Sequence, residues 1–339
     1  MATEDFTAQP GVAIVHIGLD KTGTTSIQEF CRYRTERLRE AGVHYPHPAN
    51  PAAISHEAFA KAHGFSWNEA ATPEDSRDAG AHLAGPLDPA REALLLSSEH
   101  FCYYASTATI EKLKGWLNAN GYGRVRVVVY LRNQVDWLLS LYSEAIRWGQ
   151  TGDLAAFHEI ARDRLSHLRL LQEWSAVFGQ DAMVVRNFDA LATPLLRDFA
   201  AAAGLDETAR RMAAEYEIMF PNHSLPQILS EYVRTLPFTM EVNDRYDFIA
   251  NRLSMVRPRF LTQLFARRIW ALPPDFMAKL PALQAENDMI AEKYGVELPP
   301  LRERAAAYAA KLEPMAPDAV HGAAMFMLME LISEAAGRG

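Results

Sequence analysis

The chain has 339 residues, is 49% hydrophobic and 22% charged, and carries a formal net charge of −8. That length suffices for one large domain or two small ones; the charge argues against bulk nucleic-acid binding and weakly against a long polyanionic acceptor, and no apolar run reaches membrane-spanning length. Two cysteines, Cys31 and Cys102, make no disulfide framework and read as buried thiols; with a polar stretch at 1–10 that lacks a signal-peptide pattern, a cytoplasmic protein is expected.

The first predicted element is an apolar strand, Val12–Ile17, that runs into Gly18-Leu19-Asp20-Lys21-Thr22-Gly23-Thr24-Thr25-Ser26 and then a helix over 27–38. A strand, a short loop and a helix N-terminus together make an anion site. The first backbone N–H groups of a helix lack intrahelical partners, and the helix dipole favours negative charge there. Gly23 lets the backbone approach an anion closely, Lys21 adds a mobile charge, and Thr24, Thr25 and Ser26 add hydroxyls. Residues 41–46 read as a turn and a short strand. The Pro-, Ala-, Gly- and Asp-rich stretch 48–89 reads as loops and short helices, including 55–63, or as a lid over the site.

Ala93–Ser98 is the next strand, and a helix over 109–120 is closed by Gly121. The β-branched run 126–131 has the continuous apolar character of a buried parallel strand. A helix follows, its inner face marked by Val135, Leu138, Leu139, Tyr142 and Ile146, with Ser140 off that face. Helical periodicity covers 154–178 and stops at Gly179; a strand at 182–186 and a helix at 194–203 with a Gly204 stop complete the alternation. Beyond about Glu207 only helices are expected, broken at Pro237, Pro273, Pro281 and Pro299. The pattern predicts an α/β fold: a doubly wound central parallel sheet flanked by helices, as one domain with a core at about 11–205 and a mainly helical C-terminal extension at 206–339. The last helix, Pro317–Ala336, carries Met325, Phe326, Leu328, Met329, Leu331 and Ile332, to pack on the domain or on a second subunit of a homo-oligomer.

The loop is not a Walker loop, in which Lys follows the second Gly. Here Lys21 precedes Gly23 by two positions, and no later strand ends in an acidic residue that reads clearly as a Mg²⁺ ligand. The stretch from His16 to Gln28 resembles the 5′-phosphosulfate loop of sulfotransferases, whose donor is 3′-phosphoadenosine 5′-phosphosulfate (PAPS). A second segment fits the same family. Arg132 closes the strand at 126–131, where open α/β sheets bind ligands, and Ser140 follows eight residues on, in Ser140-Leu141-Tyr142. Sulfotransferases hold the donor's 3′-phosphate with an Arg and a Ser at this spacing. Gln134 departs from the Pro that many members carry, which alters loop stiffness more than charge. Taken singly, each feature has a plainer reading: an N-capped turn, a solvated arginine, an exposed helical serine.

The resemblance implies in-line transfer of a sulfuryl group from PAPS to an acceptor hydroxyl, with adenosine 3′,5′-bisphosphate (PAP) released. It implies that backbone N–H groups of Thr22 to Thr25 hold the phosphosulfate, that Lys21 stabilises the leaving phosphate, and that Arg132 and Ser140 hold the 3′-phosphate. The base is expected at Glu99, because Ser97-Ser98-Glu99 stands where cytosolic sulfotransferases carry a Lys-Thr-His stretch. The alternative is that Glu99 caps the turn beginning at His100. His44, His47 and His56 lie where some carbohydrate sulfotransferases place a catalytic acidic residue; His56 is the strongest competitor for the role, the alternative being a surface or capping histidine.

No histidine pair has metal-ligand spacing, so no metal is expected. The segment 184–191 resembles the family's Tyr-Glu-x-Leu stretch and reads as structural, and Asn222-His223-Ser224 falls near a family Asn-x-Ser element. Arg257, Arg259, Arg267 and Arg268 are candidates for an anion, or a solvated helix face. Trp67, Trp137, Trp148 and Trp174 are candidates for a sugar platform, or core residues. The acceptor class expected by family analogy is a saccharide or glycolipid, with other small molecules and peptide tyrosine open. Two rival functions stay open: a kinase or nucleotide hydrolase with a variant phosphate loop, and a non-catalytic nucleotide-binding protein of the same fold.

Overall fold

Parallel strands that are covered on both faces are mostly apolar. In the computed structural model, every residue of β1 (Val12–Ile17) and of β5 (Ala93–Ser98) is buried, and only His16, Ser97 and Ser98 among them are polar. The structure describes residues 7–66, 76–103, 106–217, 226–236 and 267–336, with backbone alone at 76–78 and 330–336. The short strand β2 (Val43–His44) lies beside β5, and β6 (Arg124–Leu131) and β7 (Met183–Asn187) lie on the other side of β1. The sheet order is β2-β5-β1-β6-β7, and every pairing is parallel. His16 stands opposite Ser97, and Leu131 opposite Asn187.

Alternate side chains go to opposite faces. Ala13, Val15, Leu94, Leu96 and Val127 share one core with helices α3 (Glu57–Ala62), α4 (Thr107–Ala119) and α7 (His167–Phe178). Val12, Ile14, Leu95, Val128 and Tyr130 share the other with α1 (Thr24–Tyr33), α2 (Thr35–Glu40), α8 (Leu195–Ala202) and α9 (Glu207–Glu217). This is the doubly wound α/β arrangement. Full burial of each Val, Leu or Ile contributes about 1.5–3 kcal/mol. From β1 the chain passes to β2 and β5 on one side and then crosses to β6 and β7 on the other. The loop after β1 therefore sits at a topological switch point, where sheets of this kind bind ligands.

By their contacts the described residues fall into two units. The first takes its residues from 1–132, 166–222 and 287–298 and contains the sheet. The second takes its residues from 133–165, 223–286 and 299–339 and is helical. In it α10 (Gln227–Thr235) packs on α5 (Gln134–Arg147) and on the helix Pro317–Ala336. Ser143 and Ser230 hydroxyls meet at 3.1 Å, and Arg304 forks onto Asp136 at 2.6 and 2.8 Å. Val320, Ala324 and Met327 of the last helix are buried there, whereas Met325, Phe326 and Met329 are exposed. No described helix is long and apolar enough to cross a membrane.

Several boundaries differ from those read off the sequence. The helix expected over 27–38 is two helices, α1 and α2, parted at Arg34, whose φ of −119° leaves the helical region. The single period over 154–178 divides into α6 (Leu154–Ala161) and α7, because the Ser166 hydroxyl accepts from Arg169 N at 3.2 Å and starts a new helix. Pro281 does not end a helix: it lies inside Pro274–Tyr294. A two-stranded antiparallel ladder, β3 (His47–Pro48) with β4 (Leu83–Ala84), was not expected; at two residues per strand it carries no periodicity to read. Pro237 and residues 67–75 of the expected lid lie outside the described residues.

Candidate functional site

The loop after β1 is shaped by its own backbone. Gly18 N–H donates to the Ser98 carbonyl at 3.1 Å, carrying the sheet one residue further. The Thr22 and Thr24 hydroxyls converge on the Leu19 carbonyl, at 2.6 and 3.2 Å, and both side chains are buried. Lys21 takes a φ of 62°, alone among the described non-glycine residues in being positive, and Gly23 takes 78°. The left-handed region costs an ordinary residue about 1–2 kcal/mol. Two such residues around Thr22 give the kind of backbone that turns N–H groups into an anion-binding concavity. Gly23 is also the N-cap of α1 and offers no side-chain acceptor to the first-turn donors of that helix. A side chain at Gly23 would strike Leu195, and one at Gly18 would strike Thr24. Thr25 is exposed and Ser26 half-buried at the helix start.

Arg132 is brought to this loop by the sheet. It follows the last residue of β6, and its Nη1 donates to the Lys21 carbonyl at 3.2 Å. Its Nε donates to Asp189 Oδ1 at 3.2 Å, and its guanidinium lies 5.6 Å from the Phe188 ring centre. His167 Nε2 donates to the Arg132 carbonyl at 2.9 Å. The segment Asn187-Phe188-Asp189, expected to be structural, thus frames the arginine, with Asn187 Oδ1 accepting from Asp189 N at 3.0 Å. Ser140 lies on α5 in the second unit, half-buried.

Glu99 opens a 3-10 turn, Glu99–Cys102, at the carboxyl end of β5, so it shares the sheet end that carries the loop and Arg132. The turn is capped by Ser98, whose hydroxyl accepts from His100 N at 3.1 Å, not by Glu99. Gln28 of α1 donates its amide to Glu99 Oε2 at 2.9 Å. Burial pushes the Glu99 carboxyl up to about 7, the neighbouring Asp20 carboxylate adds to this, and the Gln28 amide acts against it. A carboxyl poised near neutrality is what proton transfer requires.

The histidines divide sharply. His56 is buried, with Nε2 donating to the Pro46 carbonyl at 2.8 Å and Nδ1 accepting from Ser97 N at 3.0 Å. Both ring nitrogens are engaged, and burial lowers its pKa to about 4, so it sits as a neutral strut between β5 and the chain before α3. His16 Nδ1 meets Ser97 Oγ at 2.8 Å under the same strand end, and burial lowers it to about 3. His44 Nδ1 lies 3.0 Å from a Glu92 carboxylate oxygen, and His47 Nε2 lies 3.4 Å from Arg32.

Trp137 and Trp174 are fully buried and offer no face to a sugar; Trp148 is half exposed on the second unit. Arg267 pairs with Glu313 at 2.8 Å and the Arg268 carbonyl accepts from Glu313 N. Trp67, Arg257, Arg259 and Asn222-His223-Ser224 lie outside the described residues. Sequence reasoning passed over Asp20, Gln28 and Tyr103 as site residues. Only the sheet pairing brings Gln28 and Tyr103 to the Glu99 turn and the loop, and no spacing in the chain announces it. Among the described residues no three His, Cys, Asp or Glu side chains assemble as a metal centre requires.

No family model matches the chain, and no curated protein does. Among solved structures, the chain is similar to that of a sulfotransferase from Alicyclobacillus acidocaldarius, at 14% identity and a TM-score of 0.37, over 70% of this chain and 95% of that one.

Proposed function

We propose that the protein is a PAPS-dependent sulfotransferase that acts on an acceptor hydroxyl, with a saccharide or glycolipid as the first acceptor class to try. The observation that carries this reading is the gathering of Lys21, Arg132 and Glu99 at the carboxyl end of one parallel sheet, with Arg132 bonded to the Lys21 carbonyl at 3.2 Å. An uncapped helix start beside a lysine and an arginine suits a donor with two anionic groups. The donor, when bound, supplies the sulfuryl group. Backbone N–H groups of Thr22 to Thr25 hold its phosphosulfate end, and Arg132 takes its 3′-phosphate. Lys21 offsets the negative charge that grows on the departing phosphate. Glu99, ionised above about pH 7, takes the acceptor's hydroxyl proton. His56 has no ring nitrogen open for that task, which favours Glu99 over it.

Calorimetric titration tests the reading. The protein is expected to bind adenosine 3′,5′-bisphosphate more tightly than adenosine monophosphate or Mg-ATP, and Arg132→Ala to erase the preference for the 3′-phosphate. A preference for Mg-ATP, with turnover lost in EDTA, would make it a kinase or hydrolase instead.

A further inference from the structure

Asp20 stands immediately before Lys21, and Tyr103 immediately after the turn that begins with Glu99. The Tyr103 hydroxyl donates to Asp20 Oδ1 at 2.8 Å. Tyr103 is 8% exposed and its ring packs on His100 at 4.8 Å. This bond joins the two parts of the site that must act together, the anion loop and the base turn. We propose that Asp20 and Tyr103 form a positioning pair that locks the Glu99 turn to the Lys21 loop and holds the Asp20 carboxylate near Glu99. The proposal deepens the sulfotransferase reading and rests on it.

Three features support the assignment. The left-handed backbone at Lys21 has to be held from both sides, and it is: Arg132 grips the Lys21 carbonyl, and Asp20 is tied to Tyr103. Glu99 is likewise held twice, by the Gln28 amide and by the turn that Tyr103 closes. Finally, the charge of Asp20 acts on Glu99, where like charges favour the protonated carboxyl and strengthen it as a base. Among the described residues, the ionisable groups that act on or adjoin Glu99 include Tyr45, His100 next to it in the chain, and Glu57 of α3, which is paired with Lys61 and lies 3.6 Å from His100. Asp20 is the one that also touches the loop of Lys21.

Two variants separate charge from tether. Asp20→Asn keeps an oxygen for Tyr103 and removes the charge; it is expected to move the acid limb of the kcat/KM profile to lower pH by about one pH unit. Tyr103→Phe keeps the charge and removes the tether; it is expected to lower kcat roughly tenfold, with the pH midpoint and the acceptor KM unchanged. The Glu99 carboxyl is followed in parallel by infrared titration, with Glu99→Gln as the blank, so its midpoint is read without turnover. A Glu99 midpoint unmoved in Asp20→Asn, or a native kcat in folded Tyr103→Phe, would overturn the proposal. Tyr103→Phe is near-isosteric and keeps the question decidable should Asp20→Asn fail to fold. If the midpoint moves as expected while the native protein transfers no sulfuryl group to any acceptor, the pair stands and the functional reading falls.

Discussion

At the scale of single residues, Glu99 is placed where it costs stability. Its pKa in the folded protein, about 7, exceeds the ordinary value of 4.5, so its contribution to stability is complete below pH 4.5 and is lost as pH rises through 7. Glu99→Gln removes the buried charge and keeps an oxygen for the Gln28 amide. It is therefore expected to raise the melting temperature at pH 8 and to leave it nearly unchanged at pH 4. On the proposed reading, transfer should fall by about 10²–10⁴ in the same variant, the usual share of a positioned base. In the native protein, log kcat/KM should rise with unit slope below pH 7 and level off above it. A melting temperature equally raised at both pH values would mean that Glu99 is not desolvated; full activity in the variant would move the base elsewhere. Stability traded for a reactive group is common at functional sites.

At the scale of elements, the sequence predicted what repeats and missed what depends on a distant partner. The strands β1, β5, β6 and β7 were legible because burial on both faces leaves unbroken apolar runs. The placement of Lys21, Arg132 and Glu99 at one end of the sheet was legible because each closes or follows such a strand. The Asp20–Tyr103 and Gln28–Glu99 bonds were not, since residues so far apart meet only through sheet pairing. The divisions at Arg34 and at 162–166 escaped because apolar spacing continues across both. Pro281 shows the opposite failure: a helix-breaking residue overruled by its surroundings. It is exposed inside Pro274–Tyr294, where it removes one donor and crowds the preceding turn at a cost of about 3 kcal/mol. Pro281→Ala is expected to stabilise the protein by about 1–3 kcal/mol, read as a higher denaturant midpoint with no change in donor binding. A lower midpoint would show that the helix depends on the bend a proline imposes.

At the scale of the whole molecule, buried neutral histidines set the response to acid. Burial lowers His16 to about 3 and His56 to about 4, and lowers His44, His47 and His63 in the same direction. The unfolded chain binds these protons first, so their stabilisation is present above pH 6.5 and is lost as pH falls through the folded values. At pH 5.5 unfolding takes up about one proton at each of His16 and His56 and releases about one at Glu99. Native stability should therefore drop between pH 6.5 and 4, more steeply in Glu99→Gln, as urea melts at half-unit steps would show; a flat profile there would contradict the burial of both rings. The packing behind Gly23 has a last consequence. Its α-carbon is walled in by Leu195 and Phe188, and its backbone angle is one that bulkier residues resist, so glycine is demanded at this position whether or not a nucleotide ever arrives. Among descendants of this chain, retention of that glycine would mark kept architecture; loss of Lys21 or Glu99 would mark loss of the proposed activity.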